Sequence, residues 1–258
     1  MCRLKSCLVL KDRVFCPDYN SHQQMLEELG IEDDYLHASK TFVRVELTPP
    51  DGVKSLMEPL DRWTLKVDQD ITPEWWNVDA DRPRVEEAVE AWRKEHVFTE
   101  GEHSISTGIV YALSSATVIA YFSAMVEACD SAMVTAFDSA TITAFDNAKV
   151  KACGRATVES YDNSTVEALD RATVTAYGSA TITAFDRVTI TAYNSATVEA
   201  YGNAMVTAFD SATVKAFDRA TITAFDSATV EAYNHSIVVY PPKNKIVYPA
   251  RWTAETHE

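Results

Sequence analysis

From residue 107 to residue 234 the apolar and polar positions recur every eight residues without an insertion. Examples are S-A-T-V-E-A-Y-G (195–202), N-A-M-V-T-A-F-D (203–210), S-A-T-V-K-A-F-D (211–218) and R-A-T-I-T-A-F-D (219–226). Counting each octad from Ser115, position 1 is mostly Ser, Asn or Arg, position 2 Ala and position 3 usually Thr. Position 4 is Val or Ile, 5 varies, 6 is almost always Ala, 7 is aromatic, Leu or Cys, and 8 is mostly Asp, Gly or Asn. A period of eight is four strand periods and drifts against a helix face, so the pattern predicts strand. The β-branched residues at 3 and 4 suit a pleated surface, and the set at 8 tolerates positive φ. Each octad therefore predicts one strand and one turn.

Such a unit cannot bury its own apolar face, so neighbours must stack into a parallel β-solenoid. Two octads per coil, 16 residues, is the expectation. That step stacks Lys151 on Glu167 and Glu199 on Lys215 on Glu231, opposite charges in ladder positions. Arg155, Arg171, Arg187 and Arg219 all fall in odd octads, which also supports that step; against it, Arg155, Arg171 and Arg187 would stack on one another, and the 24-residue separation of Cys129 and Cys153 favours a three-octad coil. Eight coils at about 4.8 Å each give a rod of about 38 Å with a spine of Val126, Ile142, Val158, Val174 and Ile190. Alternation points position 7 outward, but a bare row of rings is an aggregation hazard. The expectation is that the turn swings the rings into the ends of the core; an outward row would instead be a seam for a homodimer.

Residues 1–106 show no repeat and read as a small α+β domain. Leu8–Leu10 and Val14–Phe15 flank a short turn; Ser21 and Gln24 cap a helix that Gly30 stops; Thr41–Leu47 and Trp63–Val67 alternate as strands. Thr72-Pro73-Glu74 opens a short turn presenting Trp75 and Trp76. Asp81 and Pro83 then lead into an amphipathic helix with Val85, Ala88, Val89 and Trp92 on one face. Residues 107–234 form the solenoid and 235–258 a C-terminal cap and tail, in which Ile237–Tyr240 and Ile246–Tyr248 read as a closing hairpin. The class is thus mainly β, a parallel β-solenoid of octapeptide repeats preceded by a small α+β domain.

The net charge of −15 divides as −9 in residues 1–106, −7 in 107–234 and +1 in 235–258, which disfavours direct contact with nucleic acid. Apolar runs such as Leu8–Leu10 are too short for a signal peptide or a membrane span, and a cytoplasmic protein is expected. The five cysteines lack metal-ligand spacing; Cys7 and Cys16, on facing strands, can pair under oxidation. Neither a metal nor a cofactor is expected. His22, His37, His96, His103, His235 and His257 are scattered, so the only catalytic idea is Cys2 as an N-terminal nucleophile, and the chain is read as no enzyme.

The octads resemble repeats of uncharacterised bacterial and phage proteins built from S/N-A-T-V-x-A-Y/F-D/G units, some preceded by a comparable small domain. Trp63-Thr64-Leu65-Lys66-Val67-Asp68 and Thr72-Pro73-Glu74-Trp75-Trp76 carry the second part of that resemblance. A looser likeness joins the octads to ice-nucleation repeats, which also have 16-residue coils with T-x-T, and to pentapeptide-repeat solenoids. Three function classes follow. The first is a structural scaffold, an acidic rod presenting the N-terminal domain to another protein, with Trp75 and Trp76 as binding anchors. The second is a DNA mimic acting on a DNA-binding enzyme. Its weakness is charge: a duplex carries about one charge per 1.7 Å, whereas −7 over about 38 Å is about one per 5 Å. The third is ice or lattice binding through Thr173, Thr175, Thr189, Thr191, Thr207, Thr221 and Thr223, spaced about 6.7 Å along a strand and about 4.8 Å between coils.

Overall fold

A computed structural model describes residues 5–241. The chain divides into two compact units, 1–97 and 98–258. In the first, strands β1 (Lys5–Leu10), β2 (Val14–Phe15), β3 (Phe42–Thr48) and β4 (Thr64–Val67) form an antiparallel sheet in the order β2-β1-β3-β4. Helix α1 (His22–Leu29) is capped by Ser21, whose side chain accepts from the Gln24 N–H, and stopped by Gly30 at φ 65°. Helix α2 (Tyr35–Ala38) is a single turn, and α3 (Val78–His96) is the long one. Leu8, Met25, Leu26 and Phe42 pack together, and α3 buries Val85, Val89 and Trp92.

Helix α3 starts earlier than the sequence predicts, and Pro83 lies inside it. The reason is the cap. Asn77 accepts from the N–H groups of Asp79 and Ala80, and the buried Asp81 carboxylate reaches back to the Asn77 N–H at 3.0 Å. These bonds hold the first turn strongly enough that the one intrahelical bond lost at Pro83 does not break it. Arg82 then donates to the carbonyls of Leu60 and Trp63, and Arg93 to those of Leu56 and Glu58, which fixes the loop between β3 and β4.

The second unit is a parallel β-solenoid with 16 residues per coil. From Ile109 onward residue n pairs with residue n+16, as Val126 does with Ile142, Ile142 with Val158, Val158 with Val174 and Val174 with Ile190, whereas the first rung, Glu102–Ile105, pairs fifteen residues on. Each octad contributes one four-residue strand at positions 3–6. Alternate octads belong to a nine-stranded sheet, here sheet C, and a ten-stranded one, sheet B. Parallel pairing already begins at Glu102–Ile105, ahead of the first octad, and Ile237–Val239 extends sheet B on Thr221–Thr223. Ile237–Val239 is thus one more rung rather than an antiparallel arm, and the Ile246–Tyr248 arm of the expected hairpin lies outside the described residues, as does Cys2. The arguments for a three-octad coil dissolve. Cys129 and Cys153 follow strands of different sheets, and the arginine column stands exposed at a turn, where water screens it. Lys151 meets Glu167 at 3.2 Å.

Positions 2, 4 and 6 fill the core: Ala140, Ile142 and Ala144, like Ala172, Val174 and Ala176, have no exposed surface. Where Ser160 and Ser164 replace alanines they bond each other at 2.6 Å, and Ser164 also donates to the Tyr161 carbonyl. The rings at position 7 do not swing into this core. Alternation carries past the strand end, so they stand outside it, stacked coil on coil in two columns. One runs unbroken through Phe145, Tyr161, Tyr177, Tyr193, Phe209 and Phe225, with centroids 4.8–5.1 Å apart. The other is interrupted by Cys153 and Leu169. A core lined by alanine at 2 and 6 has no room for a ring, and stacking leaves most of them half-buried instead. Burial, together with the bond its hydroxyl donates to Glu159, pushes the Tyr161 phenol up to about 12.

Position 8 has two tasks. Its residues sit at φ 52–70°, the left-handed region, from Ser114, Phe122, Asp130 and Asp138 through their successors, glycine and non-glycine alike. The second task is hydrogen bonding. The N–H at position 2 closes the turn on the carbonyl at 7, as Ala140 does on Phe137, and the N–H at 1 bonds the position-8 carbonyl one coil below, as Asn147 does on Asp130. The N–H at 8 then faces the next coil with no backbone carbonyl to meet. An aspartate carboxylate one coil on supplies the acceptor: Gly154 N–H donates to Asp170 at 2.9 Å, Ser114 to Asp130 at 3.1 Å and Gly202 to Asp218 at 3.1 Å. Asn194 serves Gly178 in the same way at 3.2 Å.

Truncating the spine should be costly and truncating the face should not. Ile190→Ala is expected to lose about 2–5 kcal/mol, and Thr189→Ala less than about 0.5 kcal/mol, read from urea midpoints by circular dichroism.

Candidate functional site

Two regions hold the residues singled out in the sequence, one in each unit. On the solenoid, the 16-residue register puts all seven threonines on the outer face of sheet B. Thr173 pairs with Thr189, Thr175 with Thr191, Thr191 with Thr207 and Thr207 with Thr223, while Thr221 follows Met205 in the neighbouring column. Thr173 and Thr189 are exposed and the other five half-buried. Met205, 53% exposed, stands within the array, and Glu159 borders it beside Thr175.

In the first unit, Trp75 and Trp76 are both half-buried, and the Trp75 indole N–H donates to the Lys40 carbonyl at 2.8 Å. They serve the folding of the segment after β4 at least as much as any surface. The exposed aromatic is Tyr35, at 72%, followed by Leu36 at 55%. Both open α2, whose cap Asp34 accepts from the His37 N–H at 2.8 Å. That bond, with one from the His37 ring, holds the Asp34 carboxyl below its ordinary range. Tyr35 borders an open cleft lined also by Asp33, Asp34, Asp68 and Asp70, with Arg44 and Lys66 as its cations. Arg44 is engaged by Asp33. The floor is rigid because Gln69 accepts from the Arg44 N–H and donates to the carbonyls of Phe42 and Ile71. The sequence signal for this site was D-D-Y-L at 33–36, a capping aspartate followed by two large apolar residues in a helix too short to bury them.

A second cluster lies on the other side of β1. Lys5 is almost fully buried, its ammonium donates to the Pro17 carbonyl, and it lies 4.9 Å over the Trp92 ring. Burial pulls its pKa down. Cys7 and Cys16 face one another across the β1–β2 pair, as their spacing predicts, and both are free thiols. The Cys7 thiol donates to Cys16, which drives Cys7 well above the ordinary thiol range; the same bond, aided by Lys5, holds Cys16 below it. Thiolate character therefore concentrates on Cys16, the more accessible of the two.

No helix among the described residues is long and apolar enough to cross a membrane. Fold and sites together define a parallel β-solenoid protein with an added α+β unit. Compared with family models, curated proteins and solved structures, the chain matches none.

Limited iodoacetamide on the native protein should label Cys16 before Cys7. Because Cys16 is held low, its alkylation rate should level off at lower pH than that of the same cysteine in urea. Peptide mass spectrometry across a pH series reads both effects, and faster labelling of Cys7 would contradict the assignment.

Proposed function

We propose that the protein is a non-enzymatic interaction scaffold, an acidic solenoid carrying an N-terminal unit that binds a basic segment of another protein. The observation that carries this reading is Tyr35, exposed beside a cleft with four carboxylates against two cations. Exposed aromatics are the residues that anchor interfaces, and a surplus of negative charge attracts Lys- or Arg-rich partners. The solenoid supports the scaffold role through its form: a closed aliphatic core, short polar outer faces and turns tied coil to coil by carboxylate and backbone bonds. Its charge pattern weighs against DNA mimicry, because Arg155, Arg171, Arg187 and Arg219 line the same turn edge as Asp138, Asp170, Asp186 and Asp218.

A photo-crosslinking residue placed at Tyr35 of the full chain, in extract from the source cell, is expected to capture one predominant basic protein. Capture should fall at least about tenfold in Asp34→Asn/Asp70→Asn. A crosslinker at Thr189 serves as the reference position. Equal capture at both positions, or none at 35, would remove the reading.

The seven-threonine face favours a second reading, binding to an ice or crystal lattice, since the register makes it regular in both directions. On that reading the full chain shapes ice crystals at millimolar concentration and Thr191→Glu abolishes the effect. Unshaped growth of ice in the unmodified protein excludes it.

A further inference from the structure

We propose that His22, Glu46 and Asp68 form a divalent transition-metal site in the N-terminal unit. The three come from α1, β3 and the residue after β4, and their ligand atoms lie within 4.8 Å of one another. His22 is the first residue of α1, and its side chain is only 10% exposed. Its Nε2 is 3.2 Å from the Val45 carbonyl oxygen, which can only accept, so Nε2 carries the proton in the neutral ring. That leaves the Nδ1 lone pair facing the Asp68 carboxylate 3.5 Å away, longer than a good hydrogen bond, with a Glu46 carboxylate oxygen also within reach of a shared ion. An acceptor facing an acceptor beside this buried imidazole is stabilised by a positive charge between them, and the exposed Asp68 leaves the place open to an incoming ion.

Three further features fit a metal in that place. An imidazole whose far nitrogen donates to a backbone carbonyl has the orientation of a metal-ligating histidine. A separation of 3.5 Å is close to the ligand–ligand edge of about 3.3–3.5 Å that tetrahedral zinc requires with bonds near 2.0–2.1 Å. And the same two carboxylates already draw a cation, since Lys66 Nζ lies 3.9 Å from Glu46 and 3.5 Å from Asp68. Lys66 is 64% exposed on a long stem and can swing out when a doubly charged ion takes its place. One nitrogen and two oxygen donors suit zinc or manganese(II), with one or more coordination positions left to water. The metal would join α1, β3 and β4 directly beside the cleft that Asp68 also lines. This inference does not depend on the partner proposed above.

Calorimetric titration of the full chain with zinc chloride, and separately with manganese chloride, tests the site. One equivalent is expected to bind. His22→Ala and Asp68→Asn should each weaken it at least about tenfold, and the exposed Asp68 variant keeps the test open if His22→Ala misfolds. Lys66→Met should tighten binding by removing the competing ammonium, an effect that a purely structural histidine–aspartate pair would not show. Glu32→Gln, in the neighbouring Glu32, Asp34 and His37 cluster, should leave the titration unchanged. Absence of binding in the millimolar range would show that a proton alone fills the gap, and would overturn the proposal. Zinc held by Cys7 and Cys16 would survive His22→Ala, and that outcome would overturn it equally.

Discussion

The solenoid depends on one constraint, that every residue must meet its counterpart sixteen positions away in the same register. Parallel coils bond through backbone groups that carry no sequence information, so something else must select the register. Alanine, valine or isoleucine, and alanine at positions 2, 4 and 6 do so. A slip of one residue would send that whole inward set to the surface. The aspartate at position 8 adds a second lock, because its carboxylate meets the orphan N–H of the previous turn only when the coils are aligned. Hydrophobic burial supplies most of the stabilisation and the carboxylate supplies a point of alignment, at about 0.5–1.5 kcal/mol for each such bond.

Much of this was legible in the octads. Their even period, the β-branched residue at 4 and the charge alternation at 5 lead to strand, stacking and a 16-residue coil, and Val158 and Val174 do occupy the spine. The stacked arginines and the cysteine spacing that pointed elsewhere were weaker because each concerns a few side chains beyond the strand ends rather than the repeat itself. The double task of aspartate was not legible. Its tolerance of positive φ is intrinsic to the residue, whereas the N–H it accepts from belongs to another coil and becomes visible only when the stack is built. The rings were misread for a related reason. Expecting them inside assumed a gap between the sheets, and the alanines at 2 and 6 had already closed it.

In the N-terminal unit the strands and the α1 caps follow from local pattern, since Ser21, Gly30 and the alternation of Phe42–Thr48 act at short range. The start of α3 does not. Pro83 reads as a boundary until Asn77 and Asp81 are seen to cap the turn before it. The cleft and the His22 cluster are more remote from sequence still, because α1, β3 and the segment after β4 are brought together by tertiary packing. Trp75 and Trp76 drew attention by size, while Tyr35, the ring that does face water, carries no signal beyond its neighbours.

Because each coil touches only the one before and the one after, its length is inherited in steps. Loss or duplication of sixteen residues rejoins identical surfaces and keeps each sheet's composition. Loss of eight would carry every later strand to the opposite sheet, moving the threonine face and the arginine edge to the far side of the rod from that point on. Recombination among such similar segments thus has a permitted quantum of one full turn, and a change of half that size would divide a surface that now runs continuously along one side.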